Sequence, residues 1–195
     1  MEPIVSAVLL AAGLSSRMGR SKQLLLLGNK PVIKHCLDVI LASGIRDIVV
    51  VIGSRNGEIE EMLRGEPVAM AVNETMNSEM AESMRIGLRA LNHAPTGVLV
   101  CLSDHPLVSP KTIETLSNEH RQDPGKIMIP VYRGRRGHPT LFPTTIINDL
   151  FFGITLRDVI RKDPRRVRTI DVNDEGAVLD LDTEDDYRKM KERIR

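Results

Sequence analysis

Ile48-Val49-Val50-Val51-Ile52 is apolar at every position. A strand with one face in water alternates apolar and polar residues. An unbroken β-branched run is instead buried on both faces, as in a parallel sheet held between two layers of helices. Outward from this run the chain keeps one rhythm. Strands are predicted at residues 4–10, 47–52, 69–72, 98–102 and 127–131, and helices at 32–42, 57–63, 80–91 and 110–121. Strand–helix–strand alternation over two-thirds of the chain predicts a doubly wound, three-layer α/β fold with a Rossmann-like, mostly parallel sheet. Beyond Pro130 the pattern changes. A flexible basic turn is expected over 132–139, a short strand at 140–142, helices at 144–150 and 156–162, and strands at 167–172 and 177–180. A closing helix over 182–194 has Thr183 as its N-cap and Glu184, Asp185 and Asp186 in its first turn, where they complement the helix dipole. No repeat, low-complexity tract or linker interrupts the 195 residues, so 1–195 reads as one domain.

Composition narrows the function classes. Hydrophobic residues make up 42% and charged residues 27%, ordinary for a soluble globular protein. A net charge of +1 gives no basic field for nucleic acid or an anionic membrane. With 3% aromatics and no tryptophan, stacking on single-stranded nucleic acid is not expected either. Cys36 and Cys101 stand far apart without a CxxC partner and read as small buried hydrophobes. His35, His93 and His120 have no ligand spacing, so no zinc site is expected. There is no Gly-x-Ser-x-Gly elbow of a serine hydrolase. The start lacks a signal-peptide pattern, and no segment approaches the ~20 apolar residues of a membrane helix. The expected location is cytoplasmic.

Ligands of doubly wound folds sit beyond the carboxyl ends of the strands. The first strand ends in Leu10-Ala11-Ala12-Gly13, followed by Leu14-Ser15-Ser16-Arg17-Met18-Gly19-Arg20-Ser21-Lys22. Small residues let a ligand lie against the backbone. Hydroxyls, arginine and lysine close behind them suit a polyphosphate. Ser15, Ser16 and Arg17 are candidates for the α- and β-phosphates, and Lys22 can fold back onto a triphosphate; Arg20 reads as solvent-facing. Fixed cations there stabilise the charge that builds on transferring phosphoryl oxygens. The spacing is neither a Walker loop nor a dinucleotide fingerprint. A second candidate lies after the fourth strand, in Ser103-Asp104-His105-Pro106. A carboxylate at a sheet's carboxyl edge suits Mg²⁺, which takes few protein carboxylates plus phosphate oxygens and water. His105 reads as shaping the turn.

Leu-Ala-Ala-Gly-x-Ser-x-Arg-Met-Gly-x-x-Lys resembles the signature loop of nucleotidyltransferases with a GT-A-like fold. Its two-alanine form most resembles the molybdenum cofactor cytidylyltransferase branch of the MobA-like NTP transferases. The resemblance runs from Ile4 to about Tyr187, with the motifs in order. It implies Arg17, Lys22 and Asp104 as catalytic residues, and Leu10, Ala11, Ala12, Gly13, Ser15, Ser16, Arg17, Lys22, Asn73 and Ser83 around the nucleotide. Asp104 and Asp182 would hold Mg²⁺, with Asp180 the alternative to Asp182. Glu184 stands where these enzymes usually carry proline. Glu79 replaces an expected glycine, which either narrows the pocket or reroutes the loop. Arg136-Gly137-His138-Pro139 is similar to the loop on the acceptor side, where the acceptor is a pterin with a terminal phosphate. Phe142 reads as core, and Arg165, Arg166 and Arg168 as a solvated run. The implied activity is transfer of CMP from CTP to molybdopterin with release of pyrophosphate, and a molybdoenzyme client is among the partners the resemblance implies. Three other readings stand beside it: a guanylyltransferase using GTP, a nicotinamide-dependent oxidoreductase sharing the family's pattern, and a non-catalytic accessory protein for the cofactor.

Overall fold

A computed structural model describes residues 4–13, 21–54, 57–75, 78–92 and 94–194. Ser15, Ser16, Arg17, Arg20 and His93 therefore lie outside the described residues. In chain order come β1 (Val5–Ala11), β2 (Leu26–Leu27), β3 (Lys30–Pro31), α1 (Val32–Ala42), β4 (Ile48–Gly53), α2 (Gly57–Leu63) and β5 (Ala69–Asn73). Then follow α3 (Met80–Ala90), β6 (Gly97–Leu102), α4 (Pro110–Gln122), β7 (Ile127–Tyr132), β8 (Arg135–Arg136) and β9 (Thr140–Pro143). The last are α5 (Thr144–Ile147), α6 (Leu156–Lys162), β10 (Val167–Asp171) and α7 (Glu184–Arg193).

The main sheet has the order β10-β7-β9-β6-β1-β4-β5, with β8 added to β7. β1 pairs in parallel with both β4 and β6. β9 runs antiparallel to both its neighbours, β6 and β7. The chain thus winds outward from β1 through β4 to β5, then returns through α3 to β6 on the other side of β1. The loop after β1 sits where the winding reverses, the usual ligand crevice of such sheets.

Alternation along each strand feeds two cores. Ala7, Leu9, Val50, Ile52 and Leu99 face α1, α2 and α4. Val8, Leu10, Val49, Val51 and Val100 face α3, α5 and α6. Each such side chain, fully buried, contributes about 1.5–3 kcal/mol relative to exposure. Both cores run under β1 and β4, and this two-sided burial is why 48–52 carries no polar residue. Phe142 is core, 1% exposed. Cys36 and Cys101 are buried too, and desolvation pushes both thiols upward.

Three expectations are corrected. The stretch 132–139 is no floppy turn: Arg133 and Gly134, both at positive φ, make a two-residue hairpin that pairs Val131 with Arg136 and Tyr132 with Arg135. Gly137 and Pro139 beyond it are buried. Residues 177–180 form no strand. Asp174 accepts a hydrogen bond from the Gly176 amide (3.0 Å) and starts a 3-10 turn over Glu175–Val178. The helix expected at 144–150 breaks into α5 and a 3-10 turn, Asn148–Phe152, stopped by Gly153 in the left-handed region. The closing helix forms as expected. Thr183 Oγ1 accepts from the Asp186 amide, and the Asp186 carboxylate accepts from the Thr183 amide at 2.8 Å.

Candidate active site

Three residues far apart in sequence meet at the carboxyl edge of the sheet. Lys22 opens a 3-10 turn, Lys22–Leu24. Its Nζ donates to Asp104 Oδ2 at 2.7 Å and to Asp182 Oδ1 at 3.1 Å. The lysine side chain is 13% exposed and Asp104 21%. Burial alone would lower the Lys22 pKa. The Asp104 charge and hydrogen bond, then those of Asp182, outweigh it, and the net shift is upward. Of the two aspartates weighed in sequence, Asp182 reaches the lysine; Asp180 is exposed.

Each of the three is held by its surroundings. The Ser103 amide donates to Leu10 O at 3.2 Å, fixing the end of β6 beside the end of β1. Gln23, 1% exposed, donates from Nε2 to Gly13 O and to Ser103 Oγ, both at 3.4 Å, and so joins the two motif loops. The Leu181 amide donates to Asp104 O at 2.8 Å, which sets Asp182 next to Asp104. The C-terminal segment lies unusually close to its neighbours. A Cβ on Gly176 would stand 1.9 Å from Leu107 O, and one on Gly137 would stand 2.3 Å from Ala177 O. Only glycine permits either approach. The His138 amide also donates to Ala177 O at 2.7 Å.

A cavity of about 180 Å³ opens beside Lys22 and Asp104, among Ala12, Gly13, Ser78 and Ser83. A Cβ on Gly13 would meet nothing within 4 Å, so this backbone borders open space. Leu10 also lines the cavity, whereas Ala11 is fully buried. Asn73 donates to Ser78 Oγ (2.7 Å) and Ser83 Oγ (2.8 Å) and braces the wall. Glu79 is exposed and does not line the cavity; its neighbours Ser78 and Met80 do.

A second cavity of about 410 Å³ adjoins the first, with Met80 and Leu102 walling both. Arg136, Gly137 and His138 line it. Pro139 instead borders a small internal void with Cys36 and Cys101. The His138 and His105 rings lie 5.0 Å apart. Burial lowers both their pKa values, that of His138 to about 4 with help from His105. A larger cavity, about 650 Å³, lies among Val5, Gly44, Asp47 and Arg121 at the opposite end of the sheet, and none of the motif residues lines it.

Sequence reasoning missed Gln23, Ser78, Met80 and Leu102. Gln23 had one signal, an isolated polar residue between Lys22 and the run Leu24-Leu25-Leu26-Leu27. The others carry none, because their part is set by where α3 meets β6. Among the described residues, no three His, Cys, Asp or Glu side chains are grouped to hold a metal. No helix among them is long and apolar enough to cross a membrane.

A mixed, mostly parallel sheet with polar loops gathered at its carboxyl edge defines a GT-A-like α/β protein of the nucleotidyltransferase kind. The chain belongs to the MobA-like NTP transferase domain family, which it matches over residues 7–162. That span contains Lys22 and Asp104 and stops short of Asp182. Nicotine blue oxidoreductase of Paenarthrobacter nicotinovorans is 31% identical, over 96% of this chain and 97% of that protein. Rv0371c of Mycobacterium tuberculosis H37Rv superposes with a TM-score of 0.86 at 28% identity, over 98% of this chain and 99% of that one. Rv0371c has also been solved in complex with manganese. A nucleotidyl transferase from Methanothermobacter thermautotroptrophicus gives a TM-score of 0.86 at 25% identity, over 98% and 97% of the two chains.

Proposed function

We propose that this chain, acting as one unit over 1–195, is a divalent-metal-dependent cytidylyltransferase. It would transfer CMP from CTP to the terminal phosphate of a molybdopterin-type acceptor. The observation that carries this reading is the convergence of Lys22, Asp104 and Asp182 beside a cavity at the end of β1. Two carboxylates already share one cation there. Asp104 Oδ1 is buried and accepts no hydrogen bond among the described residues, with His105 Nε2 3.7 Å away, which leaves this oxygen able to take a metal ion. Two carboxylates with phosphate oxygens and water make an ordinary Mg²⁺ set. Bound there, a divalent ion would neutralise triphosphate charge and orient the leaving pyrophosphate. Lys22 would turn from the aspartates to the phosphates, joined by Arg17, Ser15 and Ser16 of the loop. An acceptor phosphate oxygen bonds to the α-phosphorus as the bond to the bridging β-phosphate oxygen breaks, and pyrophosphate leaves with the electron pair. The acceptor is already an anion, so no protein nucleophile is required, and catalysis rests on positioning and electrostatics. Ser83 and the backbone at Leu10, Ala12 and Gly13, which line the cavity, would hold the nucleoside, with Asn73 bracing Ser83; Ala11, expected beside them, is fully buried and takes no part. Arg136, Gly137 and His138 would face the acceptor, and Pro139, buried against the Cys36 and Cys101 void, would not.

CTP is preferred to GTP because Ala11-Ala12-Gly13 matches the cytidylyl form of the loop. The 31% identity to nicotine blue oxidoreductase favours one second reading, a nicotinamide-dependent reductase. A thermal-shift panel separates them: CTP, GTP, ATP and NADPH, each with and without Mg²⁺ or Mn²⁺. A ligand at ~100 times its Kd adds about 2.7 kcal/mol. The expected result is a metal-dependent shift with CTP, followed by pyrophosphate release with acceptor and loss of turnover in D104N and D182N. A shift with NADPH alone sinks the transferase reading.

A further inference from the structure

The cavity of about 650 Å³ at the far end of the sheet has the size of a small-molecule site, and the proposed reaction makes no use of it. One wall is a stripe of α4. Glu114, Ser117, Asn118 and Arg121 stand at i, i+3, i+4 and i+7 and so share one helix face, with roughly 10 Å of helix between its two charged ends. Arg46, just before β4, lines the cavity as well. Its Nη1 donates to Leu41 O at 2.8 Å and to Ile45 O at 3.2 Å, which holds the guanidinium at the end of α1. Among the described residues neither Arg46 nor Arg121 meets a carboxylate; Arg121 donates to the Asn118 side chain instead. The Glu114 carboxylate forms no ion pair or hydrogen bond among them. The Ser117 hydroxyl is buried without a partner there, and a buried polar group in that state calls for an explanation. Asp47, the other acid in the lining, is already engaged by the Ser6 hydroxyl at 2.7 Å and the Asn92 amide at 3.3 Å. The hollow therefore presents two guanidiniums without acids and one carboxylate without a cation.

We infer that this cavity binds an acidic α-amino acid of the glutamate kind. Its two carboxylates would go to Arg46 and Arg121 and its ammonium to Glu114, with the Ser117 hydroxyl adding one hydrogen bond. Guanidinium forks match carboxylate oxygens in pairs, and such charge-assisted bonds are the strong ones. A nucleotide suits the cavity poorly: Glu114 and Asp47 would face its phosphates, and the lining holds no aromatic ring for a base. The inference stands apart from the transferase reading, because this cavity shares no lining residue with either cavity near Lys22. It is a second site, at the opposite end of the sheet.

The probe is L-glutamate, followed by equilibrium dialysis at constant ionic strength. Saturable binding is expected. Glutarate, 4-aminobutyrate and L-glutamine each lack one of its three charges, and each should bind about tenfold more weakly or worse, which is ~1.4 kcal/mol per tenfold. E114Q should weaken glutamate by a similar factor and leave glutarate, which has no ammonium, no weaker. R121Q should weaken glutamate and glutarate alike. Both positions lie off the buried face of α4, and an unchanged Tm checks the fold of each variant. No saturable binding to wild type, equal glutamate affinity in wild type and E114Q, or displacement of glutamate by CTP–Mn²⁺ would each overturn the inference. Glutamate binding that depends on Glu114 and Arg121, in a protein that ignores every nucleotide, would keep this site and remove the transferase reading. A metal-dependent CTP shift without glutamate binding would do the opposite.

Discussion

Lys22 is where two requirements meet at one atom. Its ammonium answers Asp104 and Asp182, and the proposed reaction needs it on a triphosphate. A metal ion held by these carboxylates, as proposed, would compete with the lysine until nucleotide drew the lysine away. K22Q should therefore bind Mn²⁺ more tightly without nucleotide, by about tenfold for ~1.4 kcal/mol of relieved competition. The same variant should bind CTP–Mn²⁺ more weakly. Calorimetry measures both, and an unchanged Mn²⁺ affinity in K22Q would show that the lysine does not guard the site. His138 gives a second expectation. Folded, its imidazole stays neutral down to about pH 4, because burial and the adjacent His105 oppose its charge more than Asp104 and Asp180 favour it. An unfolded histidine protonates near 6.5. Between those values the unfolded chain holds the extra proton, so stability is whole above about pH 6.5 and falls as pH drops towards 4. H138N lacks this dependence. Between pH 7 and 5 it should lose less stability than wild type, by on the order of 1–2 kcal/mol. Parallel denaturant titrations with equal losses would refute the assignment.

The segment after β10 shows how an element without regular structure can hold a site. Gly176 meets Leu107 O and Gly137 meets Ala177 O, at distances that admit no Cβ. The Leu181 amide then bonds Asp104 O and delivers Asp182. In G176A the carbonyl that the methyl meets is backbone and cannot rotate away. A loss of about 1–3 kcal/mol is expected, the range for overpacked interiors. Mn²⁺ affinity should fall alongside it as Asp182 moves; a variant that loses stability yet binds Mn²⁺ like wild type would separate the packing from the site. This segment also marks where sequence reading stops. α1, α2 and α6 were legible to the residue, since a 3.6-residue apolar period runs between clear breakers. Val178-Leu179-Asp180-Leu181 alternates like a strand, and the turn capped by Asp174 together with contacts to Asp104, Leu107 and His138 turns it aside, so the choice between Asp180 and Asp182 stayed open. That Lys22 and Asp104 come together at one sheet edge was legible through the order of their motifs.

Across the whole molecule the site depends on the distance between layers. α3 carries Met80 and Ser83 to the cavities, and it lies against the sheet through Gly87. A Cβ there would fall 2.4 Å from Val8 Cγ1 and 3.0 Å from Val51 Cγ2. Both valines are fully buried in the central strands β1 and β4, and β-branched side chains have few rotamers to yield with. G87A must therefore lift α3 from the sheet. Overpacking of this kind costs about 1–3 kcal/mol, which for a chain of this length lowers Tm by roughly 2–12 °C. The wall shared by the two cavities moves with the helix, so the metal-dependent thermal shift produced by CTP should shrink too. M84A, on the same helix with a fully buried side chain, removes volume instead of adding it and costs about 2–5 kcal/mol. It leaves the glycine contact intact, so its CTP shift should stay near that of wild type despite a lower Tm. If both variants keep the full CTP shift, the α3–sheet spacing serves stability alone. If G87A alone loses it, one missing methylene at position 87 sets the width of the nucleotide cavity.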